Sequence, residues 1–106
     1  MENIIFSLIS YSGEARSLCM EAMASARLGQ HDEAVTKIKS AEECLSNAHK
    51  AQTDLIQKEA GGERAEISLL LIHAQDHLMT SMLALELIEE ILDLHESKED
   101  KKGGDE

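Results

Sequence analysis

Leu69-Leu70-Leu71-Ile72-His73-Ala74-Gln75-Asp76-His77-Leu78-Met79-Thr80-Ser81-Met82 is the stretch on which the fold turns. Leu71, Ala74, Leu78 and Ser81 recur at helical steps of three or four, and Leu85, Ile88 and Leu92 continue them. A second stripe, Ile72, Asp76, Met79, Leu83 and Glu86, runs roughly a third of a turn away. Leu69, Thr80 and Leu87 add a third. From Ile67 to Leu85 nearly every face is apolar. Such a helix is buried on more sides than the rest of a small chain can cover. The pattern predicts a long third helix, about residues 63–98, that also joins subunits together.

Two further periodic segments precede it. From about Glu2 to Leu28, the residues Ile5, Leu8, Ser12, Ala15, Cys19, Ala22 and Ala26 form one stripe. Gly29 stands where a helix C-cap is expected. Gly13 lies inside this helix, where glycine is about 1 kcal/mol less favourable than alanine. It either admits a close neighbour or marks a bend, and the residues alone leave both open. The second segment begins with Asp32 as the expected N-cap and Glu33 in the first turn. Ala34, Ile38, Ala41, Leu45, Ala48, Gln52 and Leu55 then make an a/d seam. Its alanines allow a close neighbour. The segment is expected to stop near Glu59, before Gly61-Gly62.

The composition agrees with an all-α chain. There is no proline and no tryptophan, and Val35 is the one valine. Leu, Met, Ala, Glu and Lys favour helices. A chain of 106 residues has room for one domain. The expected architecture is an up-down-up three-helix bundle over residues 1–98, with 99–106 a disordered, mixed-charge tail. Acidic residues outnumber basic ones 21 to 10, a net charge of -11, so nucleic acid and anionic membranes meet a like-signed field. No apolar run reaches the roughly 20 residues of a membrane span. Glu2 follows Met1 without a basic n-region, so no secretory leader is expected, and the expected compartment is the cytoplasm. Cys19 and Cys44 have neither metal nor redox spacing and read as small buried hydrophobes. His31, His49 and His95 read as loop, surface or boundary residues.

Four polar groups interrupt the most apolar part of the chain. On a helical wheel His73 and Asp76 are about 60° apart, and His73 and His77 about 40°. A polar group buried there without a partner costs roughly 1–3 kcal/mol. Two readings of the histidines follow. They are hydrogen-bonded core or interface residues, or one is a nucleophile. A neutral imidazole can take a phosphoryl group on one nitrogen and release it again, and a second imidazole beside it can help neutralise that group. Asp76 likewise has two readings: a polar residue that specifies assembly, or, with copies of itself at a three-fold axis, the ligand of a hard cation such as Mg²⁺. Gln52, polar on an apolar seam, is a candidate site neighbour. The His-x-x-x-His spacing also occurs in zinc proteases, but position 74 is alanine and the general-base glutamate is missing. A partner-binding adaptor bundle and a metal-held structural oligomer are the competing classes; the first leaves the paired histidines unexplained.

His73-Ala74-Gln75-Asp76-His77-Leu78-Met79-Thr80-Ser81-Met82 resembles the signature of the lactose/cellobiose class of enzyme IIA in the bacterial phosphoenolpyruvate-dependent sugar phosphotransferase system (PTS). Ser12-Gly13-Glu14-Ala15-Arg16-Ser17-Leu18 resembles its first-helix segment, and Ala48-His49-x-x-Gln52-Thr53-x-Leu55-Ile56 its second. Ala84-x-Glu86-Leu87-x-x-Glu90 and Leu94-His95-Glu96 resemble its third-helix continuation. The resemblance runs through residues 3–96 and implies a homotrimer, a nine-helix bundle. It implies that His73 is phosphorylated, on the nitrogen farther from the main chain, by the phosphocarrier HPr. The group then passes to a cysteine of the cognate enzyme IIB, which with IIC imports a β-linked disaccharide of the lactose, cellobiose or chitobiose kind. It further implies that Asp76 shares a divalent metal, expected to be one Mg²⁺ per trimer, that His77 supports the site, and that the IIA chain itself binds no sugar.

Overall fold

A computed structural model describes the backbone of residues 2–64 and 66–104, and the side chains of 2–64 and 66–98. Three helices account for it: α1 (Glu2–Arg27), α2 (His31–Ala60) and α3 (Leu69–Gly104). No strand occurs among the described residues. Cross-helix pairs give the topology. Lys37 Nζ lies 3.3 Å from Glu21 Oε1, and Cys44 lies near enough to Glu14 to feel its charge, so α1 and α2 run antiparallel. Ser81 and His95 of α3 reach the carbonyls of Ser12 and Ala26, so α1 and α3 run parallel. Gln52 meets Gln75 and His31 meets Glu96, so α2 and α3 are antiparallel. The bundle is up-down-up, 64 × 19 × 19 Å. Helix α1 is its spine: it packs extensively on both others, which barely touch each other.

The core lies where the periodicity placed it. Every member of the α1 stripe is buried. Ala34, Ala41 and Ala48 are fully buried and let α2 lie close. Ile38, Leu45 and Leu55 are buried beside them, whereas Gln52 is half-buried. On α3, Ala74, Leu78, Ser81 and Ile88 are buried, and Leu71, Leu85 and Leu92 pack against the core from its edge.

The helix ends depart from expectation, for one reason. Gly29 has φ 77°, and its N–H and that of Gln30 donate to the carbonyls of Ala26 and Ser25. This is a Schellman closure. It hands the chain directly into α2, whose N-cap is Gln30 without a side-chain cap, so Asp32 lies in the first turn and caps nothing. There its charge still favours the helix dipole. The same closure recurs at Gly62, φ 99°, where Gly62 and Glu63 donate to Glu59 and Lys58. Glu63 is therefore part of the cap of α2 and cannot begin α3. Helix α3 starts at Leu69, later than the expected 63, and Ser68 caps it: the Leu71 N–H donates to Ser68 Oγ at 3.1 Å. The α3 backbone continues to Gly104 rather than ending near Lys98. The expected disordered tail falls on side chains past Lys98, and on Asp105 and Glu106, that lie outside the described residues.

A left-handed φ disfavours any side chain. Gly29→Ala meets no steric contact, so its effect isolates the backbone term, a loss of roughly 1–2 kcal/mol. Thermal unfolding should show the midpoint falling by several degrees with the helical content unchanged.

Candidate functional site

His73 and His77 sit one turn apart on α3, and His77 faces α1 at Gly13. Their rings are stacked, with centroids 5.5 Å apart and planes within 12° of each other. The i, i+4 spacing places the rings over one another. His73 is exposed and His77 is half-buried. An exposed ring stacked on a half-buried second ring is accessible to a partner and restricted in orientation, which suits a transferring nucleophile.

The wall behind His77 is α1. A Cβ built on Gly13 would stand 3.2 Å from His77 Nε2. Of the two readings of Gly13, the structure supports close approach. One residue earlier, Ser81 Oγ donates to the Ser12 carbonyl at 3.0 Å in a buried bond that ties α3 to α1 at this level. The Ser12 hydroxyl is buried without a partner among the described residues.

Asp76 is exposed on the face of α3 that points away from the bundle. Its backbone carbonyl accepts from Thr80 Oγ1 at 3.0 Å. Around it the second and third stripes are open to solvent: Ile72 is 57 %, Met79 66 % and Leu83 55 % exposed, and Leu87 of the third stripe 53 %. The expectation that one chain cannot cover α3 is met. Asp76 does not gather with other ligating side chains within one chain, since no cluster of three His, Cys, Asp or Glu suited to a metal occurs among the described residues. A carboxylate alone on an apolar face fits a metal only if copies of itself converge with it.

Gln52 is not brought to the histidines of its own chain. Its Nε2 donates to Gln75 Oε1 at 2.8 Å, across the α2–α3 seam. Gln75 and His73 point about 160° apart on α3. The remaining polar candidates are accounted for structurally. His31 Nε2 lies 3.2 Å from Glu96, the His95 ring meets the Ala26 carbonyl at 3.1 Å, and His49 is exposed. Both cysteines are buried and free. Burial, aided by the charge of Glu89, pushes the Cys19 thiol up, and burial with Glu14 and Glu43 does the same to Cys44. Neither favours the thiolate that nucleophilic chemistry would need. Sequence reasoning flagged Gly13 without assigning it, and missed the Ser81–Ser12 tie, whose signal was two serines on facing apolar seams.

Comparison with known proteins gives a consistent result. The family described as "PTS system, Lactose/Cellobiose specific IIA subunit" matches residues 3–96. The lichenan-specific phosphotransferase enzyme IIA component of Bacillus subtilis (strain 168) is 48% identical over 103 residues, 97% of this chain and 94% of that protein. The N,N'-diacetylchitobiose-specific EIIA component of Escherichia coli (strain K12) is 46% identical over 96 residues, 91% of this chain and 83% of that one. The crystal structure of the PTS cellobiose-specific enzyme IIA from Bacillus anthracis superposes with a TM-score of 0.90 at 50% identity, covering 94% of this chain and 92% of that chain. The IIA(chitobiose) in solution structures of its complex with HPr, from Escherichia coli, gives 0.80 at 44% identity, covering 92% of this chain and 95% of that one. With its three-helix bundle, its stacked histidine pair and a family match across nearly the whole chain, this protein belongs to the lactose/cellobiose-specific IIA subunits of the PTS.

Proposed function

We propose that the chain is a phosphocarrier: it accepts a phosphoryl group from phospho-HPr on His73 and passes it to the cysteine of a cognate enzyme IIB. The observation that carries this is the exposed His73 ring stacked on His77 in a chain of this family. A ring nitrogen lone pair of His73 attacks phosphorus in line. The new N–P bond forms as the bond to the HPr imidazole breaks, and that ring leaves with the bonding pair. In the second transfer a IIB thiolate attacks, the S–P bond forms, and His73 is released as it began. His77 fixes the ring plane of His73 and helps hold the group in transit. A solved relative in complex with HPr supports the first partner.

The outer stripe of α3 supports assembly as a homotrimer. Three α3 helices facing one another would bury Ile72, Met79, Leu83 and Leu87 and bring three Asp76 carboxylates together. Those carboxylates would hold one Mg²⁺ or similar cation, whose charge would relieve their repulsion. The names of relatives, specific for lichenan and N,N'-diacetylchitobiose, support a β-linked sugar as the final acceptor. The chain itself contacts no sugar and works in the cytoplasm. Among the described residues no helix is long and apolar enough to cross a membrane.

Incubation with phosphoenolpyruvate, enzyme I and HPr tests the reading. The expected product is an acid-labile, base-stable phosphate on this chain, and its absence would overturn the proposal. Asp76→Leu tests the metal. It should leave helicity and trimer mass unchanged and remove Mg²⁺ binding measured by titration calorimetry. Loss of the trimer in sedimentation would instead make the carboxylate a requirement for assembly.

A further inference from the structure

Gly13 is a helical glycine with no backbone reason to be glycine. The glycines with positive φ among the described residues are Gly29 and Gly62, and Gly13 is not one of them. It lies in the middle of α1, where alanine would favour the helix. What distinguishes the position is space. The place a Cβ would take is faced by His77 Nε2 at 3.2 Å, tighter than an ordinary van der Waals contact. The ring cannot slide freely to make room. On one side it stacks on His73. Behind it, the axial register of α3 on α1 is held by the Ser81 hydroxyl on the Ser12 carbonyl, both residues fully buried.

We propose that Gly13 is a positioning residue for phosphoryl transfer: by presenting bare backbone it seats the His77 imidazole against α1, and His77 in turn sets the plane of the His73 ring. The proposal rests on the reading of His73 as the phosphoryl acceptor. It makes α1 part of the site, although no side chain of α1 carries the chemistry. A methyl group at position 13 displaces the His77 ring by a few tenths of an ångström and tilts the stack. Misplacement of reacting groups on the ångström scale can lower rates by about a hundredfold, so a smaller displacement is expected to lower this one about tenfold.

The test is Gly13→Ala, alone and combined with His77→Ala, in the full chain. Three quantities are read: the rate of His73 phosphorylation by phospho-HPr, the thermal midpoint, and the His77 Cε1–Hε1 resonance of the unphosphorylated protein. The expected result is a thermal midpoint no lower than that of the native chain, a moved His77 resonance and transfer slowed about tenfold. The rate then falls without a loss of stability, which a merely structural role does not produce. In the His77→Ala background, Gly13→Ala should change the rate no further, because the ring through which it acts is gone. A loss of rate of equal size in both backgrounds would overturn the proposal, as would a His77 resonance that does not move. Should the native chain take no phosphate at all, the reading of His73 fails, and the resonance alone still decides whether Gly13 seats His77.

Discussion

Alanine at position 73 is expected to abolish phosphorylation by phospho-HPr while leaving the fold and the subunit mass intact. The two halves of this expectation have different physical sources. Loss of the nucleophile removes the atom that forms the new N–P bond, and nothing in the neighbourhood can substitute for it. The His77 ring is half-buried against Gly13, so an incoming phosphorus aligned for His73 is not aligned for it. The rate should fall at least about a thousandfold, to the background of the assay. The fold should survive because His73 is exposed and contributes little to the core; exposed substitutions usually change stability by no more than about 0.5 kcal/mol. Phosphate analysis, circular dichroism and sedimentation on the same sample separate the two. Acid-labile label persisting on His73→Ala at the native rate would place the acceptor elsewhere.

The second large effect is on assembly. Leu83→Lys should convert a trimer into monomers at micromolar concentration. Leu83 is 55 % exposed in the single chain and lies in the middle of the outer stripe of α3. Burying a leucine contributes about 2 kcal/mol. The substitution removes that burial in each of three copies and brings three ammonium groups toward one axis, where desolvation and mutual repulsion add to the loss. The intrachain core does not involve this face, so the monomer should stay helical. Equilibrium sedimentation gives the mass directly. A trimer of unchanged mass and stability would show that α3 does not associate through this stripe.

The fold was legible to the extent that it is local. A helical repeat shows which face is buried, and the stripe from Ile5 to Ala26 is the buried face of α1. The excess of apolar residues on α3 was equally plain, because periodicity reveals a second stripe as readily as a first. The helix termini were less legible. Asp32 and Glu63 look like N-terminal residues, but the chain leaves α1 and α2 through closures made by the backbone N–H groups of Gly29, Gln30, Gly62 and Glu63, and α3 is capped by Ser68. Such closures leave no side-chain signature beyond the glycine itself. In the site, the stacking of His73 on His77 follows from their spacing on one helix. The fit of His77 against Gly13 does not, because it depends on how deeply α3 settles on α1. Gln52 shows the same boundary: its seam position was readable, while its pairing with Gln75 was a matter of which neighbour α2 meets there.

The sparse contact between α2 and α3 leads us to expect an order of events as the chain folds. Residues 28–30 close the α1–α2 hairpin over a short loop, so that pair can form early, whereas α3 arrives at the end of the longer linker 61–68. Until it docks, the imidazoles lack their backing wall and the aliphatic strip is bare on every side. With His73 as the proposed phosphoryl acceptor and the outer stripe of α3 as the proposed subunit seam, completion of the accepting surface and recruitment of sister chains would fall on the same late step, so a newly made chain would acquire its chemistry as it acquires its company.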